Sequence, residues 1–378
     1  MKIPFNLPSI AGKEIEHIKN AIERGQLAGD GHYSRQCHAW LKEFTGVHAS
    51  LLTHSCTAAL EMASILLDIG PGDEVIMPSF TFVSTASAVA LRGGVPVFVD
   101  IRPDTLNLDE TLIADAITPR TRAISVVHYA GVVAEMDAIG AIARQHDLAV
   151  IEDAAHAFGS KYHGRAAGSI GDMAAFSFHE TKNIIAGEGG ALLLRDATYN
   201  ERAEIIRDKG TNRQKFFRGQ VDKYTWVDIG SSYLPGELIA AFLFGQLEQV
   251  HRIQNERMGY WTRYDKALHG YRSQGIGLPN IPSHCTHNAH LYYALMPDCE
   301  TRQEMIRRLQ LEEIFAPFHY VPLHTAPAGR RFGRAASDLA VTDAIAQRLL
   351  RLPLYPGMGN DAVDRVIERF GRHLEDIL

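Results

Sequence analysis

Leu148-Ala149-Val150-Ile151-Glu152-Asp153 is a short apolar run that closes on two carboxylates, and Ala154-Ala155-His156 follows it. A run of this length, with β-branched residues at its centre, reads as a buried strand. Residues 136–146 before it have helical spacing, and Ala123-Ile124-Ser125-Val126-Val127-His128 before that is another apolar run. The same alternation continues outward on both sides. Strands are expected at 49–52, 74–77, 96–100, 174–178 and 190–194, with helices over 58–63, 84–92 and 201–207. Short apolar runs alternating with helices specify an α/β domain built on a mostly parallel, seven-stranded type of sheet. Such sheets gather ligands at the carboxyl ends of their strands. Ser55, Asp153 and Ser177 all fall at those ends.

Outside this core, residues 1–12 read as an extended arm and 13–24 as a helix with Ile15, Ile18 and Ile22 on one face. Residues 211–229 are polar and aromatic without a period, which predicts a long loop, a feature that is usually functional. Residues 237–268 read as one long helix leading to a carboxyl-terminal unit. That unit mixes a strand at 290–295 with helices at 301–309 and 342–351. The expected division is a large domain over 1–245 and a smaller α+β domain over 246–378, in keeping with 378 residues.

Composition narrows the function. Hydrophobic residues make up 46% and charged ones 22%, an ordinary globular balance. A net charge of -6 leaves no basic footprint for nucleic acid. Cys37, Cys56, Cys285 and Cys299 form no CxxC pair and no zinc or disulfide spacing. Free thiols, no secretory pattern and no apolar run long enough for a bilayer lead to the expectation of a soluble cytoplasmic protein without a metal.

Ser177-Phe178-His179-Glu180-Thr181-Lys182-Asn183, followed by Gly187-Glu188-Gly189-Gly190, carries the chemistry. Pyridoxal 5'-phosphate (PLP) needs a lysine for a Schiff base, a carboxylate beside its pyridine nitrogen, a phosphate cup at a helix start, and a flat group against its ring. Lys182 supplies the amine and Asp153 the carboxylate. The Ser55-Cys56-Thr57 turn offers amides, Ser177 a hydroxyl, and Phe82 a ring. Each has an ordinary alternative: a solvated lysine, helix caps at Asp153, Ser55 or Thr57, a core phenylalanine, a satisfied core histidine at His156, and a plain glycine turn.

Glu152-Asp153-Ala154-Ala155-His156, Phe176 through Asn183 and Gly187-Glu188-Gly189-Gly190 together resemble the DegT/DnrJ/EryC1/StrS sugar aminotransferases, along nearly the whole chain, including Gly72-Asp73-Glu74-Val75-Ile76 and the closing His319-Tyr320-Val321-Pro322-Leu323-His324. The resemblance implies a fold-type I, PLP-dependent enzyme. It makes Lys182 the Schiff-base lysine, pairs Asp153 with the pyridine nitrogen and sets His156 near the phenolic oxygen. It gives phosphate to Thr57, Ala58 and Ser177, and places Phe82 against the ring. Where the family has Gly-Tyr-Asn-Tyr-Arg, this chain has Gly230-Ser231-Ser232-Tyr233-Leu234. The family's asparagine reaches the phosphate of a second subunit, so Ser232 takes that role and implies a homodimer with a shared site. The missing arginine sends its role elsewhere, with Arg213 and Arg218 as candidates. Gly230 through Leu234, Phe217 through Trp226 and Met77 through Thr85 are similar to one branch of the family. That branch moves the amino group of L-glutamate to C4 of dTDP-4-dehydro-6-deoxy-D-glucose in enterobacterial common antigen synthesis. The alternatives are another keto-sugar (C3 chemistry, a GDP or UDP carrier, a gluco product) and a binding protein without turnover.

Overall fold

The computed structural model describes residues 2–378. Eight strands form the central sheet. Their spatial order is Ala49–Thr53, Gly190–Leu194, Met173–Ser177, Ala149–Asp153, Thr121–Val127, Glu74–Pro78, Val95–Val99 and Arg334–Ala335. Only Gly190–Leu194 runs against its neighbours; the other pairings are parallel. Alternate residues of each strand enter different cores: Ile76 and Leu193 pack on one face, Val75 and Leu192 on the other. Both faces are covered, and for that reason the strands read as continuous apolar runs rather than as alternating ones.

The eighth strand departs from the seven expected. Arg334–Ala335 comes from the carboxyl-terminal third and pairs with Val97 and Phe98. No two-residue strand has a legible period. Its anchor is ionic: Arg334 donates to both oxygens of the buried Glu74 at 3.1 and 2.8 Å, and Arg120 adds a third bond at 2.6 Å. Asp100, just past the neighbouring strand, accepts from the amides of Val341 and Thr342 and from the Thr342 hydroxyl.

The single helix expected over 237–268 is two helices, Glu237–Leu247 and Val250–Leu268. The backbone leaves helical geometry at Gln249 (φ -110, ψ 11). The break lets the two pieces serve different cores. Ala240, Ala241, Leu243 and Leu247 pack in the large core, while Tyr260, Trp261, Tyr264 and Leu268 pack in the carboxyl-terminal one. The expected helix at 342–351 likewise ends early. Ala340–Arg348 is helical, and Leu349–Leu352 turns into a strand paired antiparallel with Tyr292–Leu295. The long loop contains a short helix, Arg213–Phe217. Three segments cross the expected division at residue 245: the strand at 334–335, the strand Cys285–Thr286, which pairs with Lys161–Tyr162, and the amino-terminal arm, whose Ile3 is buried and bridged to Ile314.

Candidate active site

One cavity of about 550 Å³ opens along the carboxyl edge of the sheet. On the sheet side it is lined by Ser55, Cys56, Thr57, Asp153, Ser177 and Lys182, and Phe82 stands at its lip. The register explains the grouping. Asp153 is level with Ala175 on the next strand, and Ser177 and Thr53 both face Gly190. Residues far apart in sequence therefore end at one edge.

At the first strand end, the helix Cys56–Leu66 begins beneath the cavity. Ser55 Oγ accepts the Ala58 N–H at 3.1 Å, so Ser55 is a helix cap and a cavity residue at once. Thr57 Oγ1 lies 2.7 Å from Ser84 Oγ. Gly190 passes so close that a Cβ there would lie 2.5 Å from the Cys56 nitrogen and 2.6 Å from the Ser55 carbonyl oxygen. A glycine is required for the strand to reach the turn. A turn of amides and hydroxyls at a helix start is chemically suited to a phosphate.

Glu152 and Asp153 are adjacent and both buried, yet they differ. Glu152 bonds to His128 Nε2 at 2.8 Å and accepts the N–H groups of Gly168, Ile170 and Gly171 at 2.6 to 2.8 Å. Burial would raise its carboxyl, but these bonds outweigh burial and hold it below the usual carboxylate range. Glu152 is thus fully engaged in the fold. Asp153 faces the cavity and has only the Thr85 hydroxyl at 2.7 Å and the Ala155 amide at 3.2 Å. Burial pushes its carboxyl up, and Thr85, Ala155 and Lys182 only partly offset this. No α-helix starts after it, so it is not a helix cap. A desolvated carboxylate of this kind suits a protonated ring nitrogen.

Burial lowers the Lys182 amine, with Cys56 and Asp153 opposing and Arg351 adding to the fall. His156 is buried, and its pKa is driven well below the ordinary histidine value by burial, then by Lys182 and Arg351. It stays neutral. Its Nε2 lies 3.3 Å from the Tyr320 hydroxyl, its ring stacks on His290 at 4.2 Å, and its buried Nδ1 has no partner. The orphaned nitrogen, the under-satisfied Asp153 and the glycine-lined turn all fit a ring-and-phosphate cofactor. Phe82 is 58% exposed, which excludes the core reading; the core position belongs to Phe80.

Two expected residues lie elsewhere. Ala58 is buried outside the lining, and its amide is already donated to Ser55. Ser232 is exposed, bridges to Asp208 and does not line this chain's own cavity. Arg213 and Arg218 are also outside it; Arg218 pairs with Glu204, and Arg213 lies over Phe217. The opposite wall was not foreseen: Arg257, His290, His319, Tyr320 and Arg351. His290 Nδ1 lies 2.8 Å from Asn183 Oδ1, which ties this wall to the residue after Lys182. Tyr129 joins His319 at 3.1 Å. His319 and Tyr320 stand in the segment that carried the family resemblance, so that motif was a usable signal. Arg351 had none, because the helix expected at 342–351 concealed a strand.

The sheet order and this cavity define a fold-type I aminotransferase that depends on PLP. Comparison with known proteins agrees: the chain belongs to the DegT/DnrJ/EryC1/StrS aminotransferase family, which it matches over residues 8–371. It is 36% identical over 377 residues to the spore coat polysaccharide biosynthesis protein SpsC of Bacillus subtilis, covering 97% of this chain and 95% of that one. The aminotransferase TlmJ of Streptoalloteichus hindustanus superposes over the full length of both chains with a TM-score of 0.92 and 30% identity. A Streptococcus pneumoniae protein named as a sugar aminotransferase, solved in its PLP form, gives a TM-score of 0.92 at 27% identity, again over the full length of both chains.

Proposed function

We propose that this sugar aminotransferase moves the amino group of L-glutamate to C4 of dTDP-4-dehydro-6-deoxy-D-glucose. The products are dTDP-4-amino-4,6-dideoxy-D-galactose, for cell-surface polysaccharide such as enterobacterial common antigen, and 2-oxoglutarate. The observation that carries the transfer chemistry is that Lys182, a desolvated Asp153 and the Ser55–Thr57 turn line one cavity. The sugar assignment is supported by the branch motifs at 77–85, 217–226 and 230–234, and by the polysaccharide role in the name of SpsC.

PLP bound here supplies an electron sink that makes the donor's α-proton removable. Thr57, Ser177 and the amides of the turn would hold its phosphate, Phe82 would stack on its ring, and Asp153 would accept the ring N–H. Ala58 supports the turn through its bond to Ser55. His156, whose buried Nδ1 has no partner, would be the group beside the phenolic oxygen. Lys182 Nζ, its pKa lowered by burial, takes the donor's α-proton and later returns one to the sugar's C4. Ser232 of a second copy completes the phosphate site in a homodimer, a reading supported by its exposure and by exposed Phe217 and Trp226 nearby in the chain. Among the described residues no helix is long and apolar enough to cross a membrane, and we place the reaction in the cytoplasm.

The test is one incubation of holoenzyme with glutamate and dTDP-4-dehydro-6-deoxy-D-glucose. NMR of the product should show an axial amine at C4 of the galacto epimer. A gluco product, amination at C3, or reaction only with a GDP- or UDP-linked sugar would replace the substrate assignment.

A further inference from the structure

Glu152 is held by a histidine and three amides, while Asp153 beside it has two donors in all. The Thr85 hydroxyl donates to Oδ2 at 2.7 Å and the Ala155 amide to Oδ1 at 3.2 Å. Thr85 thus gives Asp153 its shorter bond and its one bond from a side chain. It is 2% exposed and lies in the first turn of the helix Val83–Ala90.

A hydroxyl inside a helix ordinarily has the carbonyl one turn back as its acceptor. Elsewhere in this chain that carbonyl is used. Thr45 donates to the Leu41 carbonyl at 2.7 Å, and Ser64 to that of Leu60 at 3.2 Å. Thr85 instead sends its hydroxyl out of the helix to Asp153, 68 positions on, and meets the Thr81 hydroxyl at 2.9 Å. An ionised carboxylate only accepts. The single Thr85 hydroxyl proton is therefore engaged at Asp153, so Thr81 is the donor to Thr85. The chain of hydroxyls runs one way, from Thr81 to Thr85 to Asp153. Thr81 and Asp153 both line the cavity.

These bonds act on the carboxylate in two ways. Each oxygen is tied by one donor, so the group cannot turn about its Cβ–Cγ bond without losing a bond. Burial raises the Asp153 carboxyl, and the Thr85 bond is the largest influence against that rise. The same helical turn also reaches the phosphate side of the cavity, where Ser84 Oγ lies 2.7 Å from Thr57 Oγ1.

We propose that Thr85, its hydroxyl oriented by Thr81, is the positioning residue that keeps Asp153 an acceptor for the cofactor's ring N–H. This rests on Asp153 serving the ring nitrogen. Without the Thr85 hydroxyl, the Asp153 carboxyl competes for the ring proton, and the electron sink weakens.

The test reads the ring nitrogen itself, by NMR of holoenzyme loaded with PLP labelled at that atom. The wild type should give the signal of a protonated pyridine, and Asp153→Asn should carry it to the unprotonated position. Thr85→Val keeps the shape and removes the hydroxyl. It should move the signal part of the way in the same direction and lower turnover by roughly 10- to 30-fold, the scale of a hydrogen bond to a charged group. Thr85→Ser should restore both. Thr81→Val leaves the Thr85 bond in place and should lower turnover by roughly 2- to 5-fold, the scale of a neutral hydrogen bond. Ser84→Ala alters the same helical turn and should leave the nitrogen signal unmoved. If Thr85→Val does not fold, Thr85→Ala and Thr81→Val carry the test. A Thr85→Val signal at the wild-type position overturns the role of Thr85 alone, as does an equal shift in Ser84→Ala. A signal that Asp153→Asn leaves unmoved overturns both this inference and the reading of Asp153 beneath it.

Discussion

On the sheet side of the cavity, Thr57, Asp153, Ser177 and Lys182 sit on or just beyond the carboxyl ends of strands. On the other side, His290, His319, Tyr320 and Arg351 come from separate segments of the carboxyl-terminal third. The first wall is positioned by sheet register and offers hydroxyls, amides, a carboxylate and an amine. The second is held by side-chain ties such as Asn183 to His290 and Glu74 to Arg334, and it offers rings and guanidinium groups. The difference points to a division of labour: the sheet wall serves the cofactor, while the other wall serves what reacts with it.

Substitutions on the two walls should therefore fail differently. The largest effect belongs to Lys182→Ala. It should lose at least about 10⁴-fold in turnover and lose the amino-acid-bleachable band, while its thermal melt stays near wild type. Asp153→Asn comes next, with about a 10²- to 10³-fold loss of turnover seen in steady-state assays, because the ring nitrogen loses its charged partner.

Glu74→Gln tests a tie between the two regions by stability rather than by rate. The bonds from Arg334, with help from Arg120 and Thr118, hold the Glu74 carboxyl at about 2, against an ordinary 4.5. A depressed carboxylate stabilises the fold fully above the unfolded value and loses that contribution as pH falls toward the folded one. Both arginines are more than one-third exposed, so the pair is screened. The variant should cost about 2 kcal/mol in urea unfolding at pH 7. Its deficit should shrink as pH falls from 4.5 toward 2.

The smallest effect is expected from Tyr320→Phe, which removes the 3.3 Å contact with His156. A loss of roughly 3-fold in turnover, with cofactor affinity unchanged, fits one neutral hydrogen bond. A loss as large as that of Asp153→Asn would break the division between the walls.

The same contrast decides what could be read from the sequence. The strand ends were legible because buried parallel strands announce themselves as apolar runs, and the residue after each run falls at the ligand edge. Asp153 and Ser177 followed from that, whereas Lys182 stands beyond the strand end and was marked by the motif shared with the family. The second wall follows no period. Arg351 lies on a strand that begins where the Ala340–Arg348 helix ends, and 342–351 carries helical spacing through the junction. Arg334–Ala335 joins the sheet through an ion pair with a residue 260 positions away. The break at Gln249 was hidden because both flanking helices are apolar, each toward a different core. Ala58 and Ser55 show a finer limit: which of neighbouring groups faces the cavity depends on a cap bond that residue types do not disclose.

The central claim is that Lys182 is the amine that holds the cofactor on the sheet wall. Reduction of the PLP-loaded protein with borohydride, followed by proteolysis and mass spectrometry, tests it directly. The account predicts a single pyridoxyl group, carried by Lys182. A pyridoxyl group on another lysine, or none on Lys182, would contradict it.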